Sequence, residues 1–276
     1  MLRLFHTVKE VRDFLESKKN VGLVPTMGAL HAGHERLIET ARRDSDVLAV
    51  SIFVNPMQFG PNEDYSRYPR PLSHDLGTCE SRSVDLVFAP SVEEMYPAPP
   101  LASVEVGRLS EHLCGKSRPG HFRAVATVVM KLLNIVQPQR AYFGEKDMQQ
   151  LTIIRRMVAD LNLNITIVGV PTVRETDGLA LSSRNKYLSA EERKAAPALY
   201  RALQEAGRRI GGGEKDASKV RETALGVLAN SPLIRVEYIE IVDPDELQPI
   251  ATISGPVRIA GAIWVGATRL IDNVTA

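Results

Sequence analysis

Val21-Gly22-Leu23-Val24-Pro25-Thr26-Met27-Gly28-Ala29-Leu30-His31-Ala32-Gly33-His34 is the stretch on which the fold turns. Residues 21–25 form a short apolar run closed by proline, which reads as a strand buried on both faces. Gly28 and Gly33 then mark a turn, and across 34–43 the apolar residues Leu37, Ile38 and Ala41 recur at helical spacing. Strand, glycine turn and helix in that order predict a βα unit of a parallel sheet flanked by helices.

Further strands of this kind are expected at 47–54, 85–88, 140–143 and 165–168. A second crossover helix is expected over 148–161, through Leu151, Ile154, Met157, Val158 and Leu161. Residues 122–136 are apolar nearly all round, which marks a helix covered on several sides. After Thr172 the pattern changes to helices rich in Ala, Glu, Lys and Arg at 190–210 and 215–229, separated by Gly211-Gly212-Gly213. Strand-like stretches at 236–242, 257–260 and 268–271 then fit a small antiparallel sheet with helices on one side. The change of pattern puts a boundary at 173–177, and 276 residues suffice for the two domains it defines, 1–175 and 176–276.

A composition of 44% hydrophobic and 24% charged residues is that of a folded globular protein. Lys and Arg total 34 against 33 Asp and Glu, a net charge of +1, so no global field draws the chain to nucleic acid or to an anionic membrane. Any anion site must be local. Residues 1–9 lack a basic stretch followed by an apolar one, and no apolar run reaches the length of about 18 that a membrane span needs. A cytoplasmic protein is expected. Cys79 and Cys114, the only cysteines, stand outside any C-x-x-C arrangement and read as structural thiols.

Five segments carry chemistry. In the first, residues 25–34, the glycine turn lets backbone N–H groups approach an anion, and the helix N-terminus favours phosphate there. His31 and His34 point to the same spot; a metal reading would need a third ligand at a recognisable spacing, and none stands nearby. The second, Phe53-Val54-Asn55-Pro56-Met57-Gln58-Phe59, ends a strand, where open α/β sheets bind ligands. Asn55 and Gln58 there suit a small polar acid. Arg118-Pro119-Gly120-His121-Phe122-Arg123 gathers cationic and imidazole donors at the start of the apolar helix. Gly144-Glu145-Lys146-Asp147-Met148-Gln149-Gln150 again joins a strand to a helix, with Lys146 able to meet phosphate. At the proposed junction, residues 174–185 place Ser182 and Ser183 beside Arg184, a flexible clamp for phosphates. Gly115-Lys116-Ser117 is not a P-loop end, because Ser110 stands where its first glycine belongs.

In order, spacing and wording these segments resemble the pantothenate synthetase family of the HxGH nucleotidyltransferase superfamily. The resemblance runs over most of 20–190 and takes in Tyr68-Pro69-Arg70 and Asp85-Leu86-Val87-Phe88-Ala89-Pro90, while the C-terminal third matches in pattern. It implies a Rossmann-like N-terminal domain with a smaller α+β lid, usually as a homodimer. It also implies a ligase that uses ATP with Mg²⁺ to join pantoate and β-alanine through a pantoyl-adenylate. By the same resemblance Pro25, Met27, Gly28, Ala29, Leu30, His31, Ala32, Gly33 and His34 bind ATP, with His34 as catalytic acid and His31 as its partner. Gly144, Glu145, Lys146, Asp147, Val173, Leu181, Ser182, Ser183 and Arg184 join them at the nucleotide, Lys146 and Arg184 sharing the developing charge. Gln58 and Gln150 hold pantoate, assisted by Asn55, Arg118 and His121, and Asp75 matches an acidic position associated with magnesium. Leu181 stands where Met is common, and Ala124 where Gly is expected.

Three other readings compete. Another small nucleotidyltransferase is disfavoured by the Gln58 and Gln150 segments. A tRNA synthetase would need a basic patch and an anticodon-reading domain. A catalytically silent nucleotide sensor on the same fold would have no use for intact His31, His34, Lys146 and Arg184.

Overall fold

The apolar runs become the strands of a parallel sheet in the computed structural model, which describes residues 1–61 and 63–276. The chain opens with β1 (Arg3–Phe5), α1 (Val8–Leu15), β2 (Val21–Thr26), α2 (Ala32–Asp44) and β3 (Val47–Ile52). It continues through α3 (Leu72–Ser81), β4 (Leu86–Phe88), α4 (Val92–Met95), α5 (Leu113–Ser117) and α6 (His121–Val136). Then come β5 (Arg140–Gly144), α7 (Met148–Asp160), β6 (Thr166–Val170), α8 (Ala190–Ala195), α9 (Ala198–Gly211) and α10 (Ala217–Leu228). The strands β7 (Ile234–Val242), β8 (Arg258–Val265) and β9 (Thr268–Thr275) close the chain.

These elements divide between two units. The first comprises Met1–Val106, Arg118–Glu145 and Ile153–Pro171; the second comprises Gly107–Ser117, Lys146–Thr152 and Thr172–Ala276. The second unit is therefore not one stretch of chain: it takes in two short segments from the half that the sequence pattern assigns to the sheet.

In the first unit, among the described residues, β1 to β6 form one sheet in the order β1-β4-β3-β2-β5-β6, with parallel pairing throughout. Because α2 and α6 both pack on β2, its side chains face apolar surroundings on either side, and Leu23 and Val24 are fully buried. That is why the strand reads as a continuous apolar run. Its neighbours are β3 on one side and β5 on the other, and the chain winds outward from this point in opposite directions, through β3 and β4 on one side and through β5 and β6 on the other. The carboxyl end of β2 is thus the switch point at which such sheets bind ligands. α6 buries Phe122, Val125, Ala126, Val128 and Val129 among others, as its all-round apolar character requires. α3 has no counterpart among the sequence expectations, since Ser73, His74, Asp75 and Gly77 leave it no apolar stripe.

In the second unit β7, β8 and β9 form an antiparallel sheet, and α9 and α10 pack on each other and against it. The helix expected over 190–210 is split at Pro197, which has no N–H to continue the first helix and precedes the second. On the sheet, Arg269 grips Glu237 with two nitrogens at 2.9 and 2.7 Å, and the indole N–H of Trp264 donates to the same carboxylate at 2.8 Å. Burial alone would push the Glu237 carboxyl up; the Arg269 fork, with Ser117 and Trp264, outweighs it and brings the group down to about 2.

Candidate active site

Helix α2 begins with an unusual cap. His31 is its N-cap residue: its Nδ1 accepts the Gly33 N–H at 3.1 Å, while the His34 Nδ1 accepts the His31 N–H at 3.4 Å. Two imidazoles thereby do the work that Ser and Glu perform in an ordinary capping box. A backbone N–H can only donate, so Nδ1 of each ring is the acceptor. In the neutral ring the proton then lies on Nε2. The rings are half-buried, with centroids 4.1 Å apart. The structure therefore brings His31 and His34 together at the carboxyl end of β2 with a defined donor on each.

The turn before them corrects one expectation. Its backbone N–H groups, read from sequence as open to phosphate, are engaged within the protein: Gly28 donates to Thr26 Oγ1 at 3.0 Å, and Ala29 and Leu30 donate to Asp75 at 2.8 Å each. Asp75 itself, matched above to a magnesium position, is fully buried with both carboxylate oxygens accepting these N–H groups. Among the described residues no group of three His, Cys, Asp or Glu side chains is placed to hold a metal ion. Asp75 is a strap for the turn and does not fit a cation ligand.

Next to β2, at the carboxyl end of β3, Asn55 caps a tight 3-10 turn, Pro56–Gln58. The buried Asn55 side chain accepts from the Tyr96 hydroxyl at 2.9 Å and donates to Gln58 Oε1 at 3.3 Å. Gln58 Nε2 in turn reaches Met27 Sδ at 3.1 Å. The N-terminus of α6 packs on this turn. His121 Nδ1 donates to the Gln58 carbonyl at 2.9 Å, which leaves Nε2 to accept from Arg118 Nη1 at 2.9 Å. Arg118 also donates to the Gln58 carbonyl and grips Glu63 at 2.7 and 2.5 Å. Met27, Asn55, Gln58, Arg118 and His121 are thus in one cluster, but Arg118 is no open cation: Glu63 neutralises it. Burial pushes the Glu63 carboxyl up, and the Arg118 fork more than offsets this, holding it below the usual range. Sequence reasoning missed Glu63, Tyr96 and the strap role of Asp75.

In the second unit Lys146 is four-fifths buried along its side chain, its ammonium 3.8 Å from Asp147, and its carbonyl accepts from Asn273 at 3.1 Å. The pair of glutamines is divided in duty. Gln149, 5% exposed, donates to the carbonyls of Leu109 and His112 at 2.8 Å each and accepts the Cys114 N–H at 3.0 Å, whereas Gln150 is half-buried. Several contacts tie the 174–185 segment, expected as a flexible clamp. Arg174 and Ala180 pair as a β-bridge, Leu181 N–H donates to Val173 at 3.0 Å, and Arg193 ties Glu175 and Asp177. Ser182 caps the turn Ser183–Tyr187 by accepting from the Arg184 N–H.

Residues 3–275 match the family model for pantoate-beta-alanine ligase. The chain belongs to that family. It is 53% identical to the pantothenate synthetase of Fervidobacterium nodosum across 99% of both chains. A solved pantothenate synthetase of Thermus thermophilus superposes with a TM-score of 0.95 at 50% identity, covering 99% of this chain and 98% of that one. A pantoate-beta-alanine ligase from Francisella tularensis, solved with beta-gamma ATP and β-alanine, gives 0.81 at 35% identity over 99% and 97% of the two chains. These pantoate-beta-alanine ligases share the six-strand parallel sheet and the three-strand antiparallel sheet described above.

Proposed function

We propose that this chain joins pantoate to β-alanine at the expense of ATP, through a pantoyl-adenylate, for pantothenate and coenzyme A synthesis. The observation that carries the reading is the ligase family match over 3–275, one solved relative of which holds ATP and β-alanine. In the first step a pantoate carboxylate oxygen attacks the α-phosphorus of ATP. The bond from that phosphorus to the β-phosphate oxygen breaks, and pyrophosphate leaves. In the second, the amine of β-alanine attacks the acyl carbon, the bond to AMP breaks, and the nitrogen gives up a proton. No enzyme nucleophile is required.

His31 and His34 act in this scheme as Nε2–H donors to phosphate oxygens, where charge grows as pyrophosphate departs. Gln58 and Gln150 hold pantoate, with Asn55, His121 and Arg118 fixing the Gln58 turn. Lys146 and Arg184 contribute positive charge, and Gly144, Glu145, Asp147, Val173, Leu181, Ser182 and Ser183 complete the nucleotide contacts on the strength of the motif resemblance. Magnesium would arrive with ATP as part of the substrate and would supply positive charge at its phosphates, as suits an ion that keeps few protein ligands. The working form is a homodimer, as the same resemblance implies, and it acts in the cytoplasm, as suits a biosynthetic enzyme. Among the described residues no helix is long and apolar enough to cross a membrane.

The test is pantoate-dependent exchange of labelled pyrophosphate into ATP, followed by AMP formation on adding β-alanine. Exchange without β-alanine, and turnover with it, are expected. ATP binding with neither would favour a silent nucleotide sensor.

A further inference from the structure

The turn that carries the two histidines is built around an anion of the protein's own. Gly28 and Ala29 both lie in the left-handed region, at φ 77° and 52°. Successive N–H groups in such a turn point into one concavity, the kind that elsewhere takes a phosphate. Here the Asp75 carboxylate occupies it, fully buried, with one oxygen on the Ala29 N–H and the other on the Leu30 N–H. A Cβ at Gly28 would lie 2.9 Å from Asp75 Oδ2, so turn and carboxylate are shaped to one another. A left-handed alanine costs about 1–2 kcal/mol and persists only where its surroundings hold it. Two hydrogen bonds to a carboxylate are a sufficient hold.

We propose that Asp75 is the positioning residue of the His31–His34 pair. By fixing Ala29 and Leu30 it fixes the residue that follows, His31, whose main chain and ring are both part of the cap of α2. It touches no substrate. By filling the concavity it also withholds the Ala29 and Leu30 N–H groups from ATP, so the phosphates meet imidazole donors instead. The proposal rests on His31 and His34 facing phosphate, as in the function above.

The experiment is Asp75→Ala, which leaves two N–H donors facing a gap of formate size. Loss of the strap should lower kcat for pyrophosphate exchange roughly 10²-fold, the scale of effect that a misplaced catalytic group produces. KM for pantoate should change far less. Added formate should restore kcat and raise the Tm of the variant, acetate should do so less well, and neither should affect the wild type. Wild-type kcat in the variant would overturn the proposal, and so would formate that raises Tm without restoring turnover, which would make Asp75 a strut of the fold alone. Should Asp75→Ala fail to fold, Asp75→Asn, which keeps the shape and one acceptor, decides: intermediate kcat supports the role and wild-type kcat overturns it. A wild type without pantoate-dependent exchange would overturn the ligase reading and the catalytic half of this proposal. The formate effect on Tm tests the strap by itself.

Discussion

At His34 the two ring nitrogens differ, Nδ1 accepting the His31 N–H and Nε2 carrying the proton of the neutral ring. Substitution can tell them apart, because the amide nitrogen of Gln can donate near the place of Nε2, whereas the shorter Asn reaches only the place of Nδ1, where its amide oxygen can accept. His34→Ala should lower adenylate formation by on the order of 10²-fold, the usual cost of a lost charge-stabilising donor. His34→Gln should recover part of this in single-turnover assays and His34→Asn should not; if Asn does better, the cap matters more than the outward donor. Gln58→Ala should weaken pantoate binding far more than ATP binding by calorimetry, and equal losses would remove Gln58 from the pantoate site. The histidine pair is legible in the sequence because both partners of its cap lie within three residues. Asp75 stands 45 residues from Leu30, and Glu63 stands 55 from Arg118. Contacts at that separation are set by how α3 and the 59–70 loop settle on the sheet, which no local spacing encodes.

Among the elements, those buried on both faces are the easiest to foresee: β2 and β3 announce themselves as short, nearly continuous apolar runs and α6 as a helix apolar over most of its surface. β1, with three residues of which two are exposed, carries no such run, and α3 owes its place to packing rather than periodicity. In the small sheet, β7, β8 and β9 are legible as strands, but the Arg269–Glu237–Trp264 contact between them is not. That contact gives the sheet a pH signature. The Glu237 carboxyl falls from 4.5 to about 2 on folding, so its contribution is complete above the unfolded value and is lost as pH drops towards 2. Glu237→Gln should therefore flatten the dependence of the urea midpoint on pH between about 5 and 3, followed by the emission of Trp264, the only tryptophan. An unchanged slope would mean that other carboxylates dominate acid unfolding.

For the molecule as a whole, the change of pattern near Thr172 is readable in the sequence, and the longest stretch of the second unit is Thr172–Ala276. What composition cannot convey is that 107–117 and 146–152 belong with it. They are held by side chains without any periodic signal: Gln149 on Leu109, His112 and Cys114, the Cys114 thiol on the Tyr238 hydroxyl at 3.2 Å, and Asn273 on Lys146. A fragment of residues 172–276 should consequently lack cooperative thermal unfolding by circular dichroism, even though it contains the whole three-strand sheet. A sharp, two-state transition in that fragment would show the two short segments to be dispensable. The same interleaving dictates a timetable on the ribosome. Residues 107–117 are synthesised long before β7 to β9 exist, so the second unit cannot be completed until the last strand has cleared the exit tunnel. The Cys114 thiol and the Lys146 carbonyl must wait through a further 124 and 127 residues of synthesis for Tyr238 and Asn273, and a truncation between Pro171 and Tyr238 leaves both without those partners.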